Sequence, residues 1–332
     1  MNEILTFNLQ NFAWEAGTTP GAPTVNPVNV TTQSSMSHTM KTFYDTTLLE
    51  NAREAMIFTQ FGKKQPMKGG KVEWRRFNTF GKALTPLTEG VIPTGQTFGM
   101  TNVEGTITQH GDFTAISDRL ELESYDDVIF GATEEMGAAE GETYDTLTRN
   151  ILVAGNSVAY CGGKESRETL DNTCVLTPDM VNKAQTWLKK NKAPKIDGWY
   201  VALIHPSVAY DLRNSDEWKQ YHQYNAVEPI FKGDIGDLHG VRFIETNEAK
   251  IWDVNGKKVY ATLFLGKDAF GILDPEGEGM EMIIKTKEQI GGPLNQFGTV
   301  GYKFCHGAKI LYQERMLRVE SGSSFGADDE AN

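Results

Sequence analysis

"GKALTPLTEGVIPTGQTFGMTNVEG", residues 81–105, decides how the rest of the chain is read. It holds five Gly and two Pro and follows neither a helical nor a strand period. Just upstream, "KGGKVEWRRFNTF" (68–80) alternates Val72, Trp74 and Arg76 against Glu73, Arg75 and Phe77, the pattern of a strand. Just downstream, "TITQHGDFTAISD" (106–118) returns to β character. Two strands around a long Gly/Pro-rich excursion predict a long hairpin spanning residues 62–115. A connection this long without a core of its own is usually functional, and a two-stranded hairpin is marginal in water. Its cover must come from elsewhere, most simply from another subunit.

The next segment carries the longest helical signal. Val128, Ala132, Met136, Ala139, Thr143, Leu147, Ile151 and Ala154 recur at steps of three and four, tracing one face. Ser124 followed by Asp127 resembles a capping box with Asp in the Glu position. A helix from Ser124 to Ala154 would be roughly 45 Å long, long for a compact enzyme and natural for a spine. Gly131, Gly137 and Gly141 cost about 1 kcal/mol each against Ala, so they should mark close packing or a bend.

Before the hairpin, residues 16–40 contain no Asp, Glu, Lys or Arg and are rich in Thr, Ser, Pro and Asn. Such a segment cannot bury a core alone. It is either a disordered tail or an extended arm lying on a partner. Residues 41–60 show helical spacing, with Gly62 as a stop. After the spine, Thr177–Pro178 is a strong helix start, "GWYVALI" (198–204) a buried-type strand, and "HPSVAYDLRN" (205–214) a second helix. Strands follow in "GVRFIETN", "VYATLFLG", "MEMIIKTK", "GTVGYKFCHGAKIL" and "RMLRVES", and the chain closes on a polar tail.

Composition narrows the function. The 332 residues carry 44 acidic against 32 basic side chains, a net charge of −12, which opposes tight nucleic-acid binding by the chain as a whole. The cysteines Cys161, Cys174 and Cys305 form no C-x-x-C pair and suit a reducing compartment. The start, "MNEILTFNLQNF", has neither a basic region nor an apolar run, so no secretory leader is expected. No apolar run approaches the ~18 residues of a membrane span.

Motifs that carry chemistry are missing. There is no G-x-x-x-x-G-K-[ST], H-E-x-x-H, G-x-S-x-G or G-x-G-x-x-G. The adjacent Cys305 and His306 would point to opposite faces of a strand, a poor metal site. Asp274, Glu276 and Glu278 lack the residue order of a calcium loop. No metal or other cofactor is expected. The sharpest catalytic candidate is "ALIHPSVAYDLRNSDEW" (202–218), with His205, Ser207 and Asp211 close in sequence. A hydrolytic triad needs a nucleophile within reach of a base that a third group holds. Helix punctuation accounts for the same residues: His205 ends a strand, Pro206 starts a helix, Ser207 supplies a capping hydroxyl and Ser215 caps a further helix.

Four blocks, in this order along the chain, carry a resemblance: "GKVEWRRF" (70–77), "LIHPSVAYDLRNSDEW" (203–218), "GDIGDLHGVRFIET" (233–246) and "GGPLNQFGTVGYKFCHGAKILYQERMLRVES" (291–321). Together they resemble the tailed-bacteriophage major capsid proteins, in particular the podovirus coat-protein subgroup, over residues 40–320. The resemblance implies an α+β chain with the Hong Kong 97-type coat fold. It divides the chain into an N-terminal arm and first helix (1–61), an extended loop (62–115), a peripheral domain with the spine helix (116–174), an axial domain (175–285) and returning peripheral strands with a tail (286–332). It implies a non-enzymatic major head protein of the virion, made in the host bacterial cytoplasm. Its partners would be itself in hexamers and pentamers, portal and scaffold proteins, a decoration protein, and double-stranded DNA touched weakly and non-specifically. Some members crosslink through Lys–Asn bonds, but nothing marks Lys68, Lys71 or Lys82 as reactive. Two alternatives stay open: a cytoplasmic α/β hydrolase or transferase using His205 and Asp211, and a nanocompartment shell protein of the same fold.

Overall fold

A computed structural model of the chain describes residues 56–67, 70–78, 80–93, 95–123, 128–225, 236–275, 279–290, 294–326 and 329–332. The arm at 16–40, most of the helix expected at 41–60, the Ser124/Asp127 cap, Lys68, Glu276 and Glu278 lie outside these residues.

A single 3-10 turn, Phe58–Phe61, closes on Gly62 and leads into β1 (Lys63–Met67) and β2 (Lys71–Phe77). β3 (Met100–Thr106) and β4 (Thr108–Ser117) follow, then α1 (Asp118–Glu123) and α2 (Val128–Val153). Next come β5 (Val158–Tyr160), α3 (Pro178–Lys190), β6 (Tyr200–Ile204), α4 (Pro206–Asn214) and α5 (Asp216–Asn225). β7 (Asp237–Leu238), β8 (Val241–Glu245), β9 (Ile251–Val254), β10 (Lys257–Leu265) and β11 (Phe270–Pro275) continue the lobe. The chain ends through β12 (Glu281–Lys285), α6 (Lys287–Ile290), β13 (Phe297–His306), β14 (Ala308–Ile310) and β15 (Met316–Ser321).

The central sheet runs β5-β15-β10-β6-β8-β7, with β9 also paired to β10. β6 explains how it sits. All five of its residues are buried, and alternate side chains enter opposite cores, as the two-residue period of a strand requires. Ala202 and Ile204 join Val181, Leu188, Val208 and Leu212 of α3 and α4. Val201 and Leu203 join Tyr144 and Leu152 of α2 with Phe270, Phe304 and Met316. A three-stranded sheet, β12-β13-β4, supports the start of α2 through Ile116, Met282 and Val300.

The hairpin differs in register from the sequence expectation. Lys71–Phe77 pairs with Met100–Thr106, not with the stretch beginning at 106. β4 instead pairs with β13 along its full ten residues, from Thr108↔His306 to Ser117↔Phe297. The missed strand, "MTNVEGT", mixes exposed polar residues with Gly105 because a hairpin standing away from the body has no wholly buried face to impose alternation.

The spine departs from expectation in its buried face. The predicted stripe from Val128 to Ile151 is only half-buried and Ala154 is exposed. The buried stripe lies one residue round, on Thr133, Gly137, Glu140, Gly141, Tyr144, Asp145, Thr148, Arg149 and Leu152. Polar residues tolerate burial there because most find partners. The described helix is 26 residues, about 39 Å at ~1.5 Å per residue.

Candidate functional site

Beyond β2 and β3 the hairpin carries a run of bare apolar side chains. Ile92 is 93% exposed, Leu84 83% and Leu87 78%, and Phe77, Phe80, Val91 and Phe98 are more than half exposed. Phe98 stacks on Phe77 and Phe80, with centroids at 4.8 and 5.7 Å, so the aromatic side chains brace one another without leaving solvent. Residues scattered singly would mean little, but a contiguous apolar group on a projecting element marks an interaction surface.

The foot of the hairpin is held by Trp74. A Cβ at Gly105 would meet its ring at 2.6 Å and one at Gly271 at 2.8 Å, so both strands flanking the indole need glycine for this approach. Arg76 lies over the Tyr312 ring at 4.8 Å and pairs with Glu314 at 3.4 Å. β1, ahead of the hairpin, is stitched in parallel to β11.

A second clamp ties the approach to the spine. The buried carboxylate of Asp145, on α2, accepts from the backbone N–H of Ile57 (2.9 Å), Phe58 (3.2 Å) and Thr59 (3.1 Å) and from the Thr59 hydroxyl (2.9 Å). It does for this turn what an N-cap side chain does for a helix. Nothing in the local sequence signals it, since the partners are 86 to 88 residues apart.

The candidate His205 site has a different construction from a triad. His205 is itself the N-cap of α4: its Nδ1 accepts from the backbone N–H of Ser207 at 3.2 Å. The Ser207 hydroxyl, expected to be a cap acceptor, instead donates to Asp329 Oδ2 at 2.6 Å, and Tyr260 donates to the same oxygen at 2.6 Å. Asp211 receives the backbone N–H of Ser324 at 2.9 Å and the Ser324 hydroxyl. Among the described residues His205 and Asp211 share no hydrogen bond, so the pair that an acid–base mechanism would use is not brought together. Burial pushes the His205 imidazole below its usual range, with Asp329 and Glu248 opposing. These groups fasten the C-terminal tail: Ser323 donates to the Ser207 carbonyl at 2.8 Å, and Asn332 accepts from Ile251 N–H at 3.0 Å. Ser215 caps α5 as expected, accepting from Trp218 N–H at 3.4 Å.

His306 is buried, with Nε2 at 3.0 Å from the Thr148 hydroxyl and its ring edge-on to Tyr144. Burial and then His110 push its imidazole down to about 4. Among the described residues no three His, Cys, Asp or Glu side chains cluster as a ligand set, and no helix is long and apolar enough to cross a membrane.

Residues 115–269 match the family model described as phage capsid protein. No curated protein matches the sequence. Solved structures do. The capsid of the cyanophage Pam1 is similar at TM-score 0.64 and 13% identity, covering 97% of this chain and 100% of that one. The capsid of cyanophage P-SCSP1u is similar at 0.63 and 14%, covering 81% and 89%. The capsid of Ralstonia phage GP4 gives 0.62 and 15%, over 82% and 89%. The class is therefore that of chains with the Hong Kong 97-type capsid fold. Within that fold, the stretch 115–269 is similar to the phage capsid protein family.

Proposed function

We propose that this chain assembles as hexamers and pentamers into the icosahedral shell around the double-stranded DNA genome of a tailed phage, without catalysing a reaction. The observation that carries the proposal is the exposed apolar hairpin opposite an under-covered spine. Leu84, Leu87, Val91 and Ile92 are exposed, with no cover among the described residues, while Met136, Ala139 and Leu147 on α2 are only partly buried. Each hairpin lies over the spine of a neighbouring copy, and burial happens between chains. At ~25 cal/mol per Å² of apolar surface, side chains of this size contribute a sizeable share of each contact. Portal, scaffold and decoration proteins are the further partners of such a shell. The protein is made in the host bacterial cytoplasm and resides in the virion.

Deleting residues 80–105 tests this. The variant should remain a folded subunit by circular dichroism and sedimentation yet yield no closed particles by electron microscopy. Normal-sized shells from the deletion would overturn the hairpin's role. A substrate turnover abolished by His205→Ala would overturn the non-catalytic assignment.

A further inference from the structure

An open groove of about 570 Å³ lies beside the C-terminal end of α2, lined by Asn150, Asn156, Arg167, Lys250, Trp252 and Arg318. Its charges do not balance. Arg167 and Arg318 share one fully buried carboxylate, Glu320, at 2.6 and 2.8 Å. Arg149 donates to the Glu248 carbonyl oxygen at 2.7 Å and reaches the Glu248 carboxylate at 3.4 Å, and its Nε is buried with no hydrogen-bond partner among the described residues. The Lys250 amine makes no ion pair or hydrogen bond among the described residues, while its backbone carbonyl accepts from Ala261 N–H at 2.9 Å. Burial lowers the affinity of its amine for a proton, and the charged groups acting on it, Arg149 and Arg167, push the same way. Three cations, Arg167, Arg318 and Lys250, thus line a groove around one paired carboxylate, Glu320, in a chain whose net charge is −12. Like charges held together cost free energy unless an anion joins them.

We propose that this groove binds a phosphate group. Arg167 spends its Nε and Nη2 on Glu320, and Arg318 its Nε and Nη1 on Glu320 and the Gly155 carbonyl. A lysine ammonium beside the two other Nη groups, with two side-chain amides, is therefore the donor set offered to the oxyanion. The groove is open, so the phosphate can belong to an extended polymer. Arg167 already covers a face of the Trp252 indole at 3.5 Å, which removes that face as a stacking platform for a base. The contact is then to the backbone and independent of sequence. The site is a place where an acidic shell subunit touches packaged nucleic acid. The source of the phosphate rests on the shell assignment; the site itself does not.

The test uses unassembled full-length subunit and its Lys250→Gln variant, with Lys183→Gln, exposed midway along α3, as a surface control. Inorganic phosphate is titrated calorimetrically against chloride at matched ionic strength. A labelled double-stranded oligonucleotide is followed by anisotropy over a range of salt. Saturable phosphate binding, weakened about tenfold in Lys250→Gln and unchanged in the control, is the expected result. The salt slope for the duplex should fall by about one in that variant. Competition between duplex and phosphate assigns the site to nucleic-acid backbone; phosphate binding without competition assigns it to free phosphate. Equal phosphate binding by wild type and Lys250→Gln would overturn the site. So would a glutamate peptide binding at least as tightly as phosphate, since the groove would then be a seat for a neighbouring subunit's carboxylate. Particle formation, scored separately by electron microscopy, distinguishes failure of the site from failure of the shell assignment.

Discussion

Replacing Asp145 with Ala removes one carboxylate and leaves four donors behind it. Three are backbone N–H groups, of Ile57, Phe58 and Thr59, and the fourth is the Thr59 hydroxyl, all within 2.9–3.2 Å of the carboxylate. Phe58 and Thr59 are buried, so water cannot replace the lost acceptor without opening the turn. A hydrogen bond to a charged acceptor is worth about 1.5–3 kcal/mol, and buried unsatisfied donors cost a further share. The bonds share one carboxylate and do not add, so about 3–5 kcal/mol is the expected loss for the subunit. With a urea slope of about 3 kcal/mol per M, the unfolding midpoint falls by roughly 1–1.7 M. Hydrogen exchange provides the local readout: amides 57–59 should lose protection, whereas β6 amides should follow only the global change. Asp145→Asn keeps one acceptor oxygen and should fall between. A midpoint shift below about 0.5 kcal/mol equivalent, or unchanged exchange at residues 57–59, would refute the clamp.

Two further expectations concern buried titratable groups on and beside the spine. Both oxygens of Glu140 are buried without a hydrogen-bond partner, and burial pushes its carboxyl up to about 7. Its folded pKa lies above the unfolded value, so its contribution is full below ~4.5 and lost as pH rises to about 7, roughly 3 kcal/mol in all. His306 has the opposite slope. Its imidazole titrates near 4 when folded against ~6.5 unfolded, so stability is lost as pH falls through that window, again by about 3 kcal/mol. The two slopes nearly cancel between pH 4.5 and 6.5 in the wild type. Denaturation of Glu140→Gln should therefore show stability rising across that window. Denaturation of His306→Asn should show it falling; flat profiles for both variants would contradict the assignment.

Local signals in the sequence located most elements. Thr177 and Pro178 start α3 as expected, the Thr177 hydroxyl accepting from Met180 N–H at 3.4 Å. The apolar run of β6 marks a strand covered on both faces, and the Gly/Pro-rich stretch marks the hairpin. What stayed hidden depends on distant partners. Arg149, Asp145 and Thr148 read as a polar flank of α2, yet each is buried against a group far away in the chain. Their burial turned the helix by about one residue from the face that apolar spacing predicts. The tail likewise reads as a solvated end, but Ser323 is buried and Asp329 is gripped by Ser207 and Tyr260. The groove at Lys250 has no motif either, because its cations, Arg167, Lys250 and Arg318, come from three separate stretches of chain.

The two legs of the hairpin are sewn to different sheets, and this has a mechanical consequence. β1 runs parallel to β11 over five residue pairs, and β4 runs antiparallel to β13 over ten. A force drawn along the hairpin therefore loads the β4–β13 ladder lengthwise. Bonds loaded that way must yield together, whereas the β2–β3 ribbon peeled from its tip would yield one pair at a time. In the assembly proposed above, tension along the hairpin would be carried by the ten-residue seam in the body, leaving the β2–β3 ribbon free to bend.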